Sequence, residues 1–382
     1  MILFDLEATQ PNSSGKRHGG GKYGEAVFCR ILQRGLPVSA FYDSTKWLNP
    51  QLEQHLLEDN IPLFDVNTID LDNIISSNNI DLLYTPLLTS RTRNISKCKV
   101  LTTVHGLRGY ELPTDTYRIK YAQERNVINF IMIFLYQIFP KLRAVRMQSI
   151  LKHVDFIKDN IDFVTVSYHS AFSINTFFPK KNFDVNKKVF YSPSTINLKI
   201  HERKFNKKYF LMVSANRWEK NNLRAIIALD RLFSAGSLQD YEVIVTGAKS
   251  IKEFKCKIKN ISKFMFLGYV DDDELSQLYH DAYCFIFPSL NEGFGYPPIE
   301  AMHYGVPVIA SPFSSIQEVC QSAALYVNPF SITEIMNRVL MLTNEKIWSK
   351  YSICGRERAV EIKKQQDRDL DRLIDYIYTR LL

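Results

Sequence analysis

Two glutamates, Glu292 and Glu300, stand on either side of a Gly-Phe-Gly turn and a Pro-Pro pair in the stretch NEGFGYPPIEAM, residues 291–302. Two carboxylates this close to a flexible loop suggest a site, although two ordinary surface acids would look the same. Gly293 and Gly295 allow the backbone to approach a ligand, and the N–H groups of a loop and a helix start can hold an anion. Further upstream, SANRWEKNNLRAI carries Arg217 and Lys220. Fixed cations at a helix start can stabilise charge that accumulates on a leaving group, or can simply be a solvated helix end. His105, in HGLRGYE, is placed to meet substrate if it closes a strand, or is structural.

These residues need elements to position them. Short apolar runs rich in β-branched and aromatic residues alternate with helical patterns along the whole chain, which predicts βαβ units and parallel sheets. In the first half the expected strands are 2–6, 37–42, 80–85, 100–104, 163–167 and 188–191. In the second half they are 210–214, 242–246, 264–267, 283–287, 306–310 and 324–327. The fold class is therefore α/β, with two doubly wound domains, and 382 residues suit two cores better than one. A polar, basic stretch from Pro193 to Lys208 marks the boundary, giving domains 1–195 and 196–360. A C-terminal helix, 361–382, follows and is expected to pack back towards the first domain.

In open parallel sheets ligands bind beyond the carboxyl ends of the strands. Residues 291–302 follow one expected strand, 214–226 follow another, and His105 ends a third. Pro298 suits the first turn of a helix, which Gly305 and Pro307 would stop, so that Glu300 falls in its first turn, where the helix dipole also favours an acid.

Composition narrows the class. Hydrophobic residues make up 46% and charged residues 23%, which fits a folded globular protein and argues against extended disorder. Six scattered cysteines, without a Cys-x-x-Cys pair, fit reduced thiols rather than a disulfide framework or a zinc site. Asp271, Asp272 and Asp273 precede a helical pattern and read as cap and first-turn acids rather than metal ligands; no metal site and no cofactor are expected. The N-terminal residues lack the pattern of a secretion signal, so a cytoplasmic location is expected.

Much of the net charge of +8 falls in 117–158, where Arg118, Lys120, Arg125, Lys141, Arg143, Arg146, Lys152 and Lys158 outnumber Glu124 and Asp155. Between these bases, Val127 to Phe139 is apolar but too short to span a bilayer. It reads equally as a buried helix with basic ends or as a segment lying in an anionic membrane surface. No nucleic-acid module accompanies it.

The stretch EGFGYPPIEAMHYGVPVIAS, 292–311, closely resembles the Glu-x7-Glu signature of retaining glycosyltransferases of family 4, the group 1 glycosyltransferases. The resemblance covers most of residues 209–330. It implies the GT-B fold, two Rossmann-like domains facing across a cleft, with a nucleotide diphosphate sugar as donor in the second. Carried over, Glu300 would bind the ribose hydroxyls, and Glu292 would lie beside the transferred sugar. The backbone at Gly293, Phe294 and Gly295 would hold sugar and phosphate, with Val270 bordering the base. Arg217 and Lys220 would meet the diphosphate, although their spacing of three departs from the family's. In the first domain His105 would face the sugar or acceptor, with Gly106 where the family often has Asp. The literal Gly-x-Gly-x-x-Gly of Gly19, Gly21 and Gly24 starts too far from its strand for a dinucleotide site. It fits instead the family's glycine loop, which makes Gly20 and Gly21 donor-side residues.

The implied reaction is retaining, metal-independent hexosyl transfer to a hydroxyl of a glycan acceptor. The flavour of the motif favours GDP-mannose, and the acceptor would be lipid-linked, in bacterial surface polysaccharide assembly. Membrane contact through 117–158 at the inner face of the plasma membrane would serve such an acceptor. The alternatives are a sucrose-type synthase, a nucleotide-sugar epimerase or a silent binding protein at a membrane surface.

Overall fold

The computed structural model describes residues 1–11, 19–139, 141–142, 160–194, 202–205 and 207–380. The described strands form two sheets of six, and every pairing within them is parallel.

The first sheet contains β1 (Ile2–Asp5), β2 (Ser39–Tyr42), β3 (Leu63–Asp65), β4 (Leu82–Thr85), β5 (Lys99–Val104) and β6 (Ile161–Thr165), ordered β3-β2-β1-β4-β5-β6. The second contains β7 (Lys208–Met212), β8 (Tyr241–Thr246), β9 (Phe264–Gly268), β10 (Cys284–Phe287), β11 (Val308–Ala310) and β12 (Ala324–Tyr326), ordered β12-β11-β10-β7-β8-β9. Central strands such as β1 and β10 are buried throughout, which is why they read as unbroken apolar runs rather than alternating ones. Each sheet has a switch point where the strand order reverses, between β1 and β4 in the first and between β7 and β10 in the second. Loops that diverge at such a point leave a crevice for a ligand.

By its contacts the chain divides into two compact units. One comprises Met1–Leu107, Lys152–Thr195 and Lys363–Leu382; the other comprises Arg108–Leu151 and Ile196–Ile362. In the first unit Leu3, Phe41, Ile74, Leu83 and Val100 share a buried core. In the second, Phe210, Leu229, Val245, Ile286 and Val339 do so. Burial of each such side chain contributes about 1.5–3 kcal/mol. The long helix Glu345–Thr379 supplies residues to both units. Its last part is tied within the first unit, where Gln366 donates to the Ser192 carbonyl at 2.6 Å and Asp369 accepts from the Tyr191 N–H at 3.0 Å.

Three local features differ from the sequence reading. Residues 188–191 are not a strand: Asp184 caps a helical turn, Val185–Lys188, by accepting from two backbone N–H groups, and only Val189 bridges to β6. β3 was not anticipated, because three half-buried residues at a sheet edge make too short a run to stand out. The third feature is the segment after β5. A division at 195 assigns residues 108–151 to the first domain, yet they group by contact with the second unit. Arg224 closes on Asp115 with two hydrogen bonds of 2.7 and 2.9 Å, and both side chains are buried. The Tyr121 hydroxyl accepts from the Leu223 N–H at 3.1 Å, and its ring meets Phe254 edge-on.

Of the basic segment, Arg143, Arg146, Lys152 and Lys158 lie outside the described residues. The helix Val127–Ile138 does not have the burial of a core helix. Among its described side chains only Ile133 is buried, while Val127, Ile128, Phe130, Phe134 and Ile138 are all at least half exposed.

Candidate functional site

At the second switch point, the loops after β7 and β10 are stitched together by their backbones. Leu290 N–H donates to the Glu219 carbonyl at 2.8 Å, and the Asn221 side chain donates to the carbonyls of Pro288 and Pro329 at 3.1 and 2.7 Å. Asn221 holds a left-handed conformation, φ 60°, which ends the short turn Trp218–Lys220 before the helix Asn222–Ser234 begins. Arg217 and Lys220 therefore sit on that turn, just ahead of the long helix.

This stitching brings Lys220 to Glu292. The Lys220 ammonium lies 2.6 Å from Glu292 Oε1, and Ser289 donates to the same oxygen at 2.6 Å. Both charged side chains are under 10% exposed. Burial works against the charged form of each. For Glu292 the nearby charges of Lys220 and Arg108 outweigh it, so the carboxyl is held below its ordinary range. For Lys220 burial prevails over the attraction of Glu292, and its pKa is lowered. The pair is thus an ionised carboxylate in a largely dry setting, with its charge answered at close range.

Next to this pair is a second carboxylate, Glu219. Its Oε1 accepts from Arg217 Nε and Nη2 at 2.9 and 2.6 Å and from Arg108 Nη1 at 3.1 Å. Arg108 also approaches Glu292, with Nη2 3.9 Å from Oε2. Three cations and two carboxylates accordingly form one continuous network. Neither Arg108 nor Glu219 was anticipated from the sequence. Arg108 enters from the short helix Arg108–Glu111, whose Glu111 accepts from the Asn291 side chain at 2.5 Å.

The loop 291–295 is fixed by Ser315, whose hydroxyl donates towards the carbonyls of Glu292 and Phe294 at 2.9 and 2.8 Å. Gly295 then takes φ 102°, in the range that favours glycine, and the helix Tyr296–His303 starts there. That helix opens earlier than expected. Pro297 and Pro298 occupy its first turn and Glu300 falls in the second, so the dipole argument for an acid at a helix start does not apply to Glu300. Glu300 instead interacts with the buried Tyr279 hydroxyl, whose pKa is raised by burial first and by this carboxylate second. Gly305, φ 73°, ends the helix, with Val306 N–H donating to the Ala301 carbonyl.

Val270 lies beyond β9, two strands away from β7. A backbone relay links the three loops. Gly247 N–H donates to the Gly268 carbonyl, and Gly247 packs so closely on Ser214 and Ala215 that a Cβ there would come within 2.8 Å of both. Arg217 N–H in turn donates to the Ser214 carbonyl at 3.1 Å. Asp271 caps the helix Asp272–Asp281 by accepting from Glu274 N–H at 2.8 Å, as its position in the sequence suggested.

The remaining candidates belong to the first unit. His105 follows β5, its Nε2 is 2.9 Å from the Pro86 carbonyl, and its ring meets Tyr23 edge-on. Tyr23 is held by the hydroxyls of Tyr84 and Thr103 at 3.2 and 3.1 Å, which fixes the imidazole from behind. Gly19, Gly20, Gly21 and Gly24 are helical here rather than part of a loop, lying in the first turns of Gly19–Gln33. The packing explains Gly24: a Cβ at that position would come within 2.8 Å of Thr9 and Pro86 side-chain atoms.

Two six-stranded parallel sheets, each with a switch point in its strand order, are the architecture of the GT-B fold. Residues 194–358 match the family model described as glycosyl transferases group 1. The O-antigen chain mannosyltransferase RfbU of Salmonella typhimurium is 38% identical over 133 residues, 34% of this chain and 36% of that protein. The O-antigen chain mannosyltransferase B of Escherichia coli is 41% identical over 83 residues, 22% of each chain. The alignments thus span about a third or less of these relatives' lengths. Among solved structures, WaaG, a glycosyltransferase involved in lipopolysaccharide biosynthesis, aligns with a TM-score of 0.63 at 14% identity over 97% of this chain and 99% of its own, a likeness of fold.

Proposed function

We propose that the protein is a retaining glycosyltransferase that moves mannose from GDP-mannose to a hydroxyl of a lipid-linked glycan, in the assembly of a bacterial surface polysaccharide. The observation that carries this reading is the Lys220–Glu292 pair at the switch point between β7 and β10, beside Arg217. The partial relatives with mannosyltransferase names support the choice of sugar and of pathway class.

In this reading the bond from the anomeric carbon to the diphosphate breaks, and a bond from the same carbon to the acceptor oxygen forms on the same face. The acceptor's proton passes to the departing phosphate oxygen, so no separate base is needed. Arg217 and Lys220 answer the charge that collects on that phosphate, a contribution that such fixed cations make without reorganising. Glu292, kept anionic, lies beside the transferred sugar, and Glu300 accepts from the ribose hydroxyls. Gly293, Phe294 and Gly295 hold sugar and phosphate through their backbone, and Val270 borders the base. His105 is assigned to the substrate on the side of the first unit. The scheme draws on no metal ion and no cofactor beyond the donor.

The partner surface we assign to the membrane is the segment around Val127–Ile138, at the inner face of the plasma membrane. None of the described helices is long and apolar enough to cross a bilayer. The exposed apolar face of this one, next to Arg118, Lys120 and Arg125, suits a peripheral contact.

The test is nucleotide release. The protein is incubated with GDP-mannose, and separately with UDP-, ADP- and dTDP-sugars, with and without a lipid-linked glycan, and the freed nucleotide and the product anomer are measured. Acceptor-dependent release of GDP with retained configuration is expected. If none of the donors were turned over or bound, the reading would be wrong.

A further inference from the structure

The cation that looks most committed to a diphosphate in the sequence is the least available one in the structure. The Lys220 side chain is 6% exposed and engaged by Glu292, whereas those of Arg217 and Arg108 are 41% and 35% exposed. Between these two guanidinium groups one oxygen, Glu219 Oε1, accepts three N–H bonds of 2.6–3.1 Å. An oxygen that gathers two guanidiniums in this way occupies the place that a phosphate oxygen would take, since guanidinium donors match both anions.

Arg108 is also held where it is for a reason other than Glu219. Its segment is docked independently by the Asp115–Arg224 pair, by Tyr121 on Leu223, and by Arg125 donating to the Glu253 carbonyl at 3.2 Å. The Glu219 backbone is likewise fixed, through the bond from Leu290 N–H to its carbonyl. Breaking the Glu219 bonds to the arginines therefore does not by itself release either backbone segment.

We propose that Arg108 is a third diphosphate-binding residue, paired with Arg217, and that Glu219 is an internal counter-ion that a bound diphosphate displaces. The inference rests on the donor reading given above. Its consequence is a division of labour. Lys220 keeps Glu292 ionised and answers the phosphate charge from its buried position, while the more exposed Arg217 and Arg108 contact the phosphate oxygens directly. Glu219 neutralises the arginines when the site holds no anion and competes with the ligand for them, so it weakens binding of donor and of nucleotide product alike.

Calorimetric titration of the full chain with inorganic pyrophosphate and with GDP tests this. Arg108→Gln is expected to weaken both ligands by about tenfold or more, as loss of one charge-assisted contact should, with Arg108→Lys in between. Glu219→Gln is expected to tighten both several-fold, and the tightening should vanish in the Arg108→Gln, Arg217→Gln background. Intact folding of each variant is checked by the unfolding curve of Trp218 and Trp348 fluorescence. Wild-type affinity in a folded Arg108→Gln protein would overturn the assignment of Arg108. Weaker pyrophosphate binding in Glu219→Gln would overturn the counter-ion, because a carboxylate that only positions the arginines gives that sign. These results differ from failure of the donor reading, in which the wild-type protein binds neither ligand.

Discussion

Arg224 and Asp115 are paired through two hydrogen bonds within a buried environment, and the aromatic face of Tyr117 lies 3.7 Å from the guanidinium carbon. Removing one member leaves the other as an uncompensated buried charge, which costs about 3–5 kcal/mol. Asp115→Ala and Arg224→Ala should each lower the unfolding free energy of the second unit, read from denaturant curves, by that amount. Trp218 and Trp348 report on that unit. The double change to apolar residues of similar volume should cost much less than the sum of the two single changes.

The Lys220–Glu292 pair predicts a pH dependence. The Glu292 carboxyl is held below the ordinary glutamate value in the folded state, so between the unfolded and folded values the unfolded chain binds more protons. Its contribution to stability is present in full above the ordinary value and is lost as pH falls through the folded one. Equilibrium unfolding between pH 3 and pH 6 should therefore show a smaller rise of stability with pH in Glu292→Gln than in the wild type. An unchanged slope would mean that Glu292 is not the ionised partner.

Gly247 predicts a functional effect at a distance. With φ 89° and with Ser214 and Ala215 backbone atoms 2.8 Å from any added Cβ, Gly247→Ala must displace the loop that carries Arg217. Strain of this kind costs about 1–3 kcal/mol. GDP affinity should fall in this variant even though residue 247 contributes no charge, and titration calorimetry would register it.

The exposed apolar helix predicts separable behaviour. Replacing Ile128, Phe130 and Phe134 with Ser should abolish sedimentation with anionic vesicles while leaving the unfolding free energy within about 0.5 kcal/mol of wild type, because the side chains are exposed. Neutralising Arg118, Lys120 and Arg125 should weaken the same binding in a salt-dependent way. Vesicle binding that survives both sets of changes would remove this surface from the reading.

How much of this was legible in the sequence depended on the range over which each feature is determined. The strands of the second sheet announce themselves because each is a buried apolar run closed by a polar loop, so Tyr283–Phe287 was a local property of the chain. Lys220 and Glu292 could be nominated for the same reason, as each follows a strand. Their contact at 2.6 Å could not, since it depends on β7 and β10 being neighbours. Arg108 lacked a local signal altogether. Its importance lies in Glu219, 111 residues further on, and nothing in HGLRGYE points there. The strand expected at 188–191 failed because Asp184, four residues ahead of Lys188, caps a helical turn whose apolar content is too low for periodicity to reveal.

The docking of residues 108–125 onto the second unit bears on how such chains can be recombined. A chimaera joined at residue 195, the natural seam by sequence, would exchange one half of the Asp115–Arg224 pair for a stranger's residue and strip the new protein of its own Arg108. On the proposed donor reading, diphosphate affinity would therefore not travel with the C-terminal half alone. The smallest exchangeable cassette is discontinuous, and includes the segment beginning at Arg108 together with the sequence from 196 onward.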